Sequence, residues 1–362
     1  MRYQPGRMGA AEAMAIVFIL TFYNVFLSTP AITVDMTGNI GWIAPLLSGV
    51  YSWVTMWVLL LVLERHNGDL LTVAEKLLGK WGARLVGVYY LLMFVIFAVL
   101  SIRQFAENTL LTALPELDFN IATAWYAISA AILVYYGIEA MARASYIILP
   151  FSIFGLLLVL AMLIPEMHFF YLAPWFGTGL DHLFLNSIMG YNAGVIVIAL
   201  LAGSLQNRQA KSAALWFGLG SSVLMKSLAI GVFIMVFGTK AAAEKTLPFF
   251  EMARLIHLSR FIQRLEALFI LLWAIVGITS IAISLYFALY LLARLTGLPS
   301  IRPVVLVVTL IAAQLAMLPE DIAAANYMEN WLLKYYYPIG NFVIPLFLGG
   351  VSWLKVREKK HA

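Results

Sequence analysis

Long apolar stretches are the feature that most constrains this chain, because segments of 18 or more predominantly apolar residues recur from residue 9 to residue 354. A helix needs about 20 such residues to cross the hydrocarbon layer of a bilayer. Only 11% of the residues are charged, whereas a typical soluble domain has about 25%. A soluble core could not hide this much apolar surface. We therefore expect an all-α integral membrane protein with about ten transmembrane helices.

Polar residues and Pro or Gly at segment ends define the predicted spans. The predicted spans leave no room for a separate soluble domain, so residues 1–362 are predicted to form a single transmembrane domain. The spans divide into two groups of five, at about 9–164 and 183–354. A short amphipathic segment from Pro248 is expected to lie at the membrane interface. The ten predicted helices cover residues 9–34, 42–63, 82–113, 120–137, 144–164, 183–204, 211–238, 261–293, 302–317 and 338–354.

The basic residues are distributed unequally between the two predicted faces of the membrane. Most of the 23 Lys and Arg residues fall on the side that holds both chain ends. Cytoplasmic loops carry an excess of Lys and Arg, so both termini are expected in the cytoplasm. The basic tail from Lys355 to Lys360 is then a topology anchor, and we expect membrane lipid but no nucleic acid as a partner. The opposite face receives Lys240, Lys245, Arg254, Arg260 and Lys334.

Helices 1 and 6 are both interrupted near the middle of the membrane. The first contains Tyr23–Pro30 (YNVFLSTP), and the sixth contains Met189–Gly194 (MGYNAG). Proline removes a backbone donor, and Gly and Asn are poor helix formers. One such kink would mean little, since Gly and Pro are common in transmembrane helices. Two kinks at corresponding positions of a five-plus-five division favour an inverted repeat, LeuT-like, with a central site.

The broken helices also predict the chemistry of the central site. Half-helix N-termini present free N–H groups and a positive dipole end, which favour an anion such as a carboxylate. A zwitterionic amino acid or another small polar molecule would suit such a pocket. The candidate ligand-binding residues are Tyr23, Asn24, Ser28, Thr29, Gly190, Tyr191, Asn192 and Gly194.

Charged residues inside the predicted spans form the second candidate feature. Arg103 and Glu107 are four residues apart on helix 3, and Arg264 and Glu266 open helix 8. These four side chains are predicted to form a charge network between the two helices, acting as an outer gate or a structural tie. The alternative is a pair at the membrane rim whose charged ends reach the water.

Lys226 lies near the middle of helix 7, where an ammonium group is costly. Three interpretations stay open: the lysine takes the place of a coupling cation, it titrates, or it pairs with a buried carboxylate. The chain has no cysteine, and its five histidines lack metal-ligand spacing. We find no phosphate-binding loop and no nucleophile motif, so neither a metal, a cofactor nor an enzymatic activity is expected.

Two longer motifs carry a resemblance to a known family. The stretch Arg103–Pro115 (RQFAENTLLTALP) is the first, and the second combines Leu247–Ile256 (LPFFEMARLI) with Phe261–Trp273 (FIQRLEALFILLW). Together they resemble the B subunit of GerA-type spore germinant receptors, in the spore germination permease family. Length and span count agree with that family over nearly the whole chain. One departure from the family pattern is the basic, alanine-rich segment Lys240–Lys245 (KAAAEK) in the predicted outer loop.

The resemblance implies a function and a setting. It implies a fold of the amino acid, polyamine and organocation superfamily in the inner membrane of a spore. It also implies a germinant, usually an amino acid, as the small-molecule ligand, and a receptor A subunit and a lipoprotein C subunit as partners. The motif positions would then include the four charged residues above. The competing hypothesis is a secondary transporter of amino acids or related amines, since both functions need a bundle that changes conformation around a central ligand.

Overall fold

The computed structural model describes residues 6, 8–175, 183–184, 192–202, 205, 208–256 and 265–361, and the statements below concern these residues. Helices dominate them. In chain order these are α1 (Ala10–Phe22), α2 (Thr29–Thr37), α3 (Ile43–His66), α4 (Leu70–Thr112), α5 (Phe119–Tyr136), α6 (Ile138–Met162), α7 (Ile196–Leu200), α8 (Arg208–Ala213), α9 (Gly220–Ala243), α10 (Pro248–Arg254), α11 (Leu265–Thr296), α12 (Arg302–Leu315), α13 (Ile322–Trp331) and α14 (Ile344–His361).

The prediction of a multi-pass, all-helical membrane protein is confirmed. Within the described residues, seven helices are long and apolar enough to span a membrane, or eight if the bent pair at the start of the chain counts as one span. The apolar α12 is shorter, with 14 residues. The sixth predicted span is described only in part, by the turn Ala193–Val195 and by α7. The number of ten spans and the two repeats therefore stay predictions.

Two predicted helix starts were too late. The third span is not one of them, because Leu70–Thr112 is interrupted at Gly79, whose φ is 78°, and the helix after this break starts close to the predicted residue 82. The fifth begins at Ile138, directly after Gly137. The last begins at Ile322 and not at residue 338, because Pro338 lies inside the span. Two π turns, Leu332–Tyr336 and Ile339–Val343, flank this proline, and such wider turns accommodate a proline within a helix.

Because the last span was predicted to start too late, the prediction for one basic residue was also wrong. Lys334 was assigned to the outer loops, but it lies in the π turn that continues α13, well inside a helical span of 34 residues, Ile322–Lys355. It therefore does not count as a loop residue in the distribution of basic charges.

The N-terminal helix occupies the centre of the bundle. Every residue of α1 from Ala15 to Phe22 is buried. It packs against α6, against α8 and the π turn Ala214–Leu219 that joins α8 to α9, and against the turn Ala193–Val195. A second interface joins α11 to α4 and α5. This arrangement places the end of α1, where the predicted interruption lies, in the middle of the protein.

Candidate functional site

The first span is broken at the predicted place. After α1, residues Tyr23–Phe26 form a turn of 3-10 helix, and Leu27 is extended with φ −103° and ψ −164°. The chain resumes a helix at α2, where Pro30 occupies the first turn and so needs no intrahelical donor. The two halves are bent by 70°. The break therefore leaves backbone groups and polar side chains in the interior of the bundle.

Three buried side-chain oxygen atoms at this break have no hydrogen-bond partner among the described residues. Asn24, Ser28 and Thr29 expose only 5–6% of their surface. The amide oxygen of Asn24 and the hydroxyls of Ser28 and Thr29 have no hydrogen-bond partner among the residues that the structure describes. Buried polar atoms normally have a partner, so unpaired atoms call for an explanation such as a ligand or bound water. These three were predicted as ligand-binding residues.

Asn192 links the sixth span to its neighbours. Its side-chain amide nitrogen donates to the hydroxyl of Ser48 at 3.1 Å and lies 3.4 Å from that of Ser52, both on α3. Its amide oxygen accepts from the ammonium of Lys226, 3.3 Å away on α9. Asn192 is thus the point at which three spans exchange polar contacts. The predicted residues Gly190 and Tyr191 lie outside the described residues.

Gly194, also predicted, serves close packing. A Cβ atom at this position would lie 3.0 Å from the backbone carbon of Leu20, so glycine allows the sixth span to approach α1 without a tight contact. The residue therefore brings the two interrupted spans together. Its contact is with the protein backbone and not with the cleft described next.

A cleft beside the break is lined by two of the predicted ligand-binding residues and by Lys226. Asn24 and Thr29 line it from the first span, and Lys226 lines it from α9, with its side chain almost fully buried. We call it the central cleft. Because Asn192 contacts Lys226 directly, residues predicted from two separate interruptions and from an intramembrane charge meet at one place. The lining residues are Asn24, Val25, Thr29, Pro30, Thr33, Ala44, Pro45, Lys226 and Ile230.

Aromatic rings cover the break on another side. Phe26 contacts Phe249 of α10, with 5.6 Å between ring centroids, and Phe249 stacks on Phe269 of α11 at 4.8 Å. The amphipathic segment expected at the interface is thus a helix of seven residues, too short to span, that packs over the interrupted span.

Tyr23 points away from the central cleft. Its ring packs on Phe97 at 5.1 Å and near Phe105 at 6.3 Å, both on α4. It therefore does not line the central cleft, although its neighbour Asn24 does. Ser48 and Ser52 are the polar residues here that the sequence analysis missed. Their spacing of four on an apolar helix, around Gly49, was the available signal.

The pair Arg103–Glu107 forms an ion pair of 2.7 Å, as its spacing predicted. Glu107 also accepts from the backbone N–H of Ile322 at 2.9 Å, and Arg103 donates to the carbonyl of Glu320 at 3.1 Å. The pair therefore holds the start of α13. Arg264 lies outside the described residues, and of Glu266 only the backbone is described, so the network with α11 stays a prediction.

A second ion pair, which the sequence analysis did not single out, lies at the opposite end of α4. The two terminal guanidinium nitrogens of Arg294, on α11, donate to the two carboxylate oxygens of Asp69, at 2.5 and 3.2 Å. Tyr290 donates to the same carboxylate at 3.0 Å. Asp69 also caps α4 by accepting from the N–H of Thr72. One carboxylate thus ties the connection between α3 and α4 to the end of α11.

The structure also shows a buried acid that the sequence analysis missed. Glu329 of α13 is 4% exposed and accepts from Gln104 of α4 at 2.6 Å. Because the last span was predicted to begin at residue 338, Glu329 was assigned to a loop. Among the described residues, no group of three or more His, Cys, Asp and Glu side chains could hold a metal ion.

Comparison with solved structures identifies the fold. The transporter MHP1, of the nucleobase-cation-symport-1 family, in a closed conformation with bromovinylhydantoin bound, aligns with a TM-score of 0.64 and 13% identity, over 91% of this chain and 77% of that one. MhsT in complex with L-phenylalanine aligns with a TM-score of 0.64 and 14% identity, over 96% and 89%. At these identities the similarity shows the fold alone, which is that of the LeuT-like transporters.

Comparison with known sequences identifies the family. Spore germination protein GerQB of Bacillus cereus is 29% identical over 76 residues, which are about a fifth (21%) of each chain. Spore germination protein KB of Bacillus subtilis (strain 168) is 22% identical over 292 residues, 78% of this chain and 77% of that protein. The profile of the family described as "Spore germination protein" matches residues 8–325. The chain therefore belongs to the spore germination protein family, also called the spore permeases.

Proposed function

We propose that this protein is the membrane subunit of a spore germinant receptor, and that a small germinant, an amino acid, binds in the central cleft and triggers germination. The observation that carries the proposal is the interrupted first span: in the cleft that Lys226 also lines, the side-chain oxygens of Asn24 and Thr29 are buried and have no hydrogen-bond partner among the described residues. Family membership supports the link to germination. The similarity to MhsT, whose structure contains L-phenylalanine, supports a LeuT-like bundle as a suitable scaffold for an amino acid.

The chemistry of the central cleft suits a zwitterion. The ammonium of Lys226 and the free N–H groups at the start of α2 would attract a carboxylate. The amide oxygen of Asn24 and the hydroxyl oxygen of Thr29 are acceptors that an α-ammonium group would satisfy. A ligand with both groups close together would thus pair polar atoms that are otherwise unpaired in the described part of the chain.

Replacing Lys226 by methionine tests this proposal. Lys226→Met keeps a long side chain but removes the charge, so we expect amino acid affinity to fall at least tenfold, about 1.4 kcal/mol. Lys240→Met is the matched control, because Lys240 lies exposed at the end of the same helix. Binding to the purified protein is measured by calorimetry across the amino acids. Unchanged affinity in Lys226→Met would contradict the assigned role.

A receptor subunit also needs partners, and we propose an A subunit and a lipoprotein C subunit in the spore inner membrane. The names of the relatives, spore germination proteins KB and GerQB, support this setting. The test is affinity isolation of the tagged protein from detergent-solubilised spore membranes. Stoichiometric recovery of both other subunits is expected, and recovery of the tagged chain by itself would contradict the assembly.

The alternative is a secondary transporter of amino acids or related amines, which the fold of the structural neighbours favours. Measuring amino acid uptake into vesicles that contain the purified protein distinguishes a transporter from a receptor. Binding without accumulation of the labelled amino acid fits a receptor. Concentrative uptake driven by an ion gradient would establish the transporter instead.

A further inference from the structure

A buried polar cluster joins α4 to α13 at a distance from the central cleft residues. The amide nitrogen of Gln104 donates to the carboxylate of Glu329 at 2.6 Å and to the amide oxygen of Asn326 at 3.0 Å. Gln104 is 1% exposed and Glu329 is 4% exposed. We call these three residues the Glu329 cluster. Its members approach from two helices, since Asn326 and Glu329 are three residues apart and share one face of α13.

The Glu329 cluster contains more acceptors than donors. The amide oxygen of Gln104 is buried and has no hydrogen-bond partner in the described part of the chain. The orientation of the Gln104 amide follows from its two acceptors, because its nitrogen must face Glu329 and Asn326. The Glu329 cluster thus contains a buried carboxylate, the half-buried amide oxygen of Asn326 and, on Gln104, a buried amide oxygen without a partner among the described residues. Oxygen atoms of this kind are the ligands of hard cations.

The described residues around Glu329 supply little compensating charge. Tyr23 and Tyr337 lie near Glu329, and neither side chain carries a positive charge. Arg103, next to Gln104 along α4, is paired with Glu107 and with the carbonyl of Glu320. The ion pairs found among the described residues do not include Glu329. An isolated carboxylate in an apolar interior is costly, so it binds a positive charge or loses its own.

We propose that the Glu329 cluster is a binding site for one positive charge, supplied by a proton or by an alkali cation. A charge of +1 neutralises the one carboxylate. Because Glu329 and Gln104 are almost fully buried, the proposed occupant is a proton or a single ion and not a molecule with several heavy atoms. Tyr23, which lies near Glu329, adjoins Asn24 in the turn that borders the central cleft. The cation site does not depend on the germinant proposal, since it concerns different side chains.

The test is thermal unfolding of the purified full-length protein in two series. In the first, NaCl or KCl replaces N-methyl-D-glucamine chloride at constant ionic strength and fixed pH. In the second, pH is lowered from about 8 to about 5 in N-methyl-D-glucamine chloride. Filling the site stabilises the folded protein by mass action, so we expect a saturable rise of at least about 3 °C in one series. The responding series identifies the source of the charge.

Variants at two glutamate positions test whether the rise in melting temperature arises from the Glu329 cluster. Glu329→Gln should lose the rise, whereas Glu320→Gln, at an exposed position just before the same helix, should keep it. Glu329→Asp retains a carboxylate and should respond with a shifted midpoint, which covers the case in which Glu329→Gln does not fold. If wild type responds to neither series, or if Glu329→Gln responds as wild type does, the site is ruled out. A fixed protein counterion such as Arg264 would give that result.

Discussion

Asp69 joins the start of α4 to the end of α11, because its carboxylate accepts from the two terminal guanidinium nitrogens of Arg294. Burial by itself would raise the pKa of the Asp69 carboxyl. The Arg294 guanidinium and the hydrogen bonds from Thr72 outweigh burial and hold this pKa below its ordinary value. The contact therefore stabilises the folded protein above the ordinary pKa of about 3.9, and the stabilisation is lost as pH falls through the lower, folded value.

We expect Asp69→Asn to destabilise the protein by about 2 kcal/mol, because Arg294 loses a charged acceptor while staying largely buried. The difference in melting temperature between wild type and variant should be constant from about pH 8 to about pH 5 and should narrow below about pH 4. Thermal unfolding in detergent at each pH measures it. A difference that narrows already between pH 8 and 6 would mean that another group titrates.

Some residue roles follow from the sequence, and others depend on contacts between distant segments. Asn24 and Lys226 are polar in an apolar span, which marks them without any structure. Glu329 is equally polar, but its burial depends on Gln104, which lies more than 200 residues earlier in the chain. Local pattern contains no information about that pairing. The same is true of Tyr23, whose direction toward Phe97 is decided by packing and not by its place in the break.

At the scale of the elements, close contacts between helices set the position of α1. The π turn that joins α8 to α9 approaches α1 at Gly218, where a Cβ atom would lie 2.8 Å from the backbone oxygen of Met14. Backbone atoms cannot move aside as a flexible side chain can. Glycine at this position is therefore a condition for the close packing of α1 against the second half of the chain.

Gly218→Ala should accordingly destabilise the protein by about 1–3 kcal/mol through overpacking. Gly220→Ala is the control two residues later, since a Cβ atom there meets nothing within 4 Å. The control should be neutral or slightly stabilising, because alanine has the higher helix propensity. Melting temperatures of the two variants measure the contrast. Equal values for both would show that α1 shifts to accept the methyl group.

The sequence predicted the break in the first span because proline has a definite effect on a helix. Proline also led to a wrong prediction, because the last span was expected to begin at Pro338. The helix instead continues through this proline, with a π turn on each side. The difference is one of context: Pro30 occupies the first turn of a new helix, whereas Pro338 sits in a span that α4 supports. Tyr89 and Tyr90 of α4 contact that part of the span through hydrogen bonds to Tyr336 and Gly340.

At the scale of the whole molecule, the ends of α4 mark opposite faces of the bundle. The part of α4 after the break at Gly79, residues 80–112, extends about 50 Å at 1.5 Å per residue, enough to cross the membrane. Asp69 and the exposed Lys80 lie toward one end, and Glu116 follows the other. The excess of basic residues near the chain termini predicts that the Lys80 end faces the cytoplasm.

Single cysteines test this orientation directly, because the chain has none of its own. Glu116→Cys and Lys80→Cys both introduce the thiol at an exposed position. A maleimide reagent that does not cross membranes should label Glu116→Cys in intact cells, and should label Lys80→Cys only after the membrane is permeabilised. The reverse pattern would place the termini outside. Because the proposed ligand must reach the central cleft from one side of the membrane, the orientation also bears on which compartment would supply it.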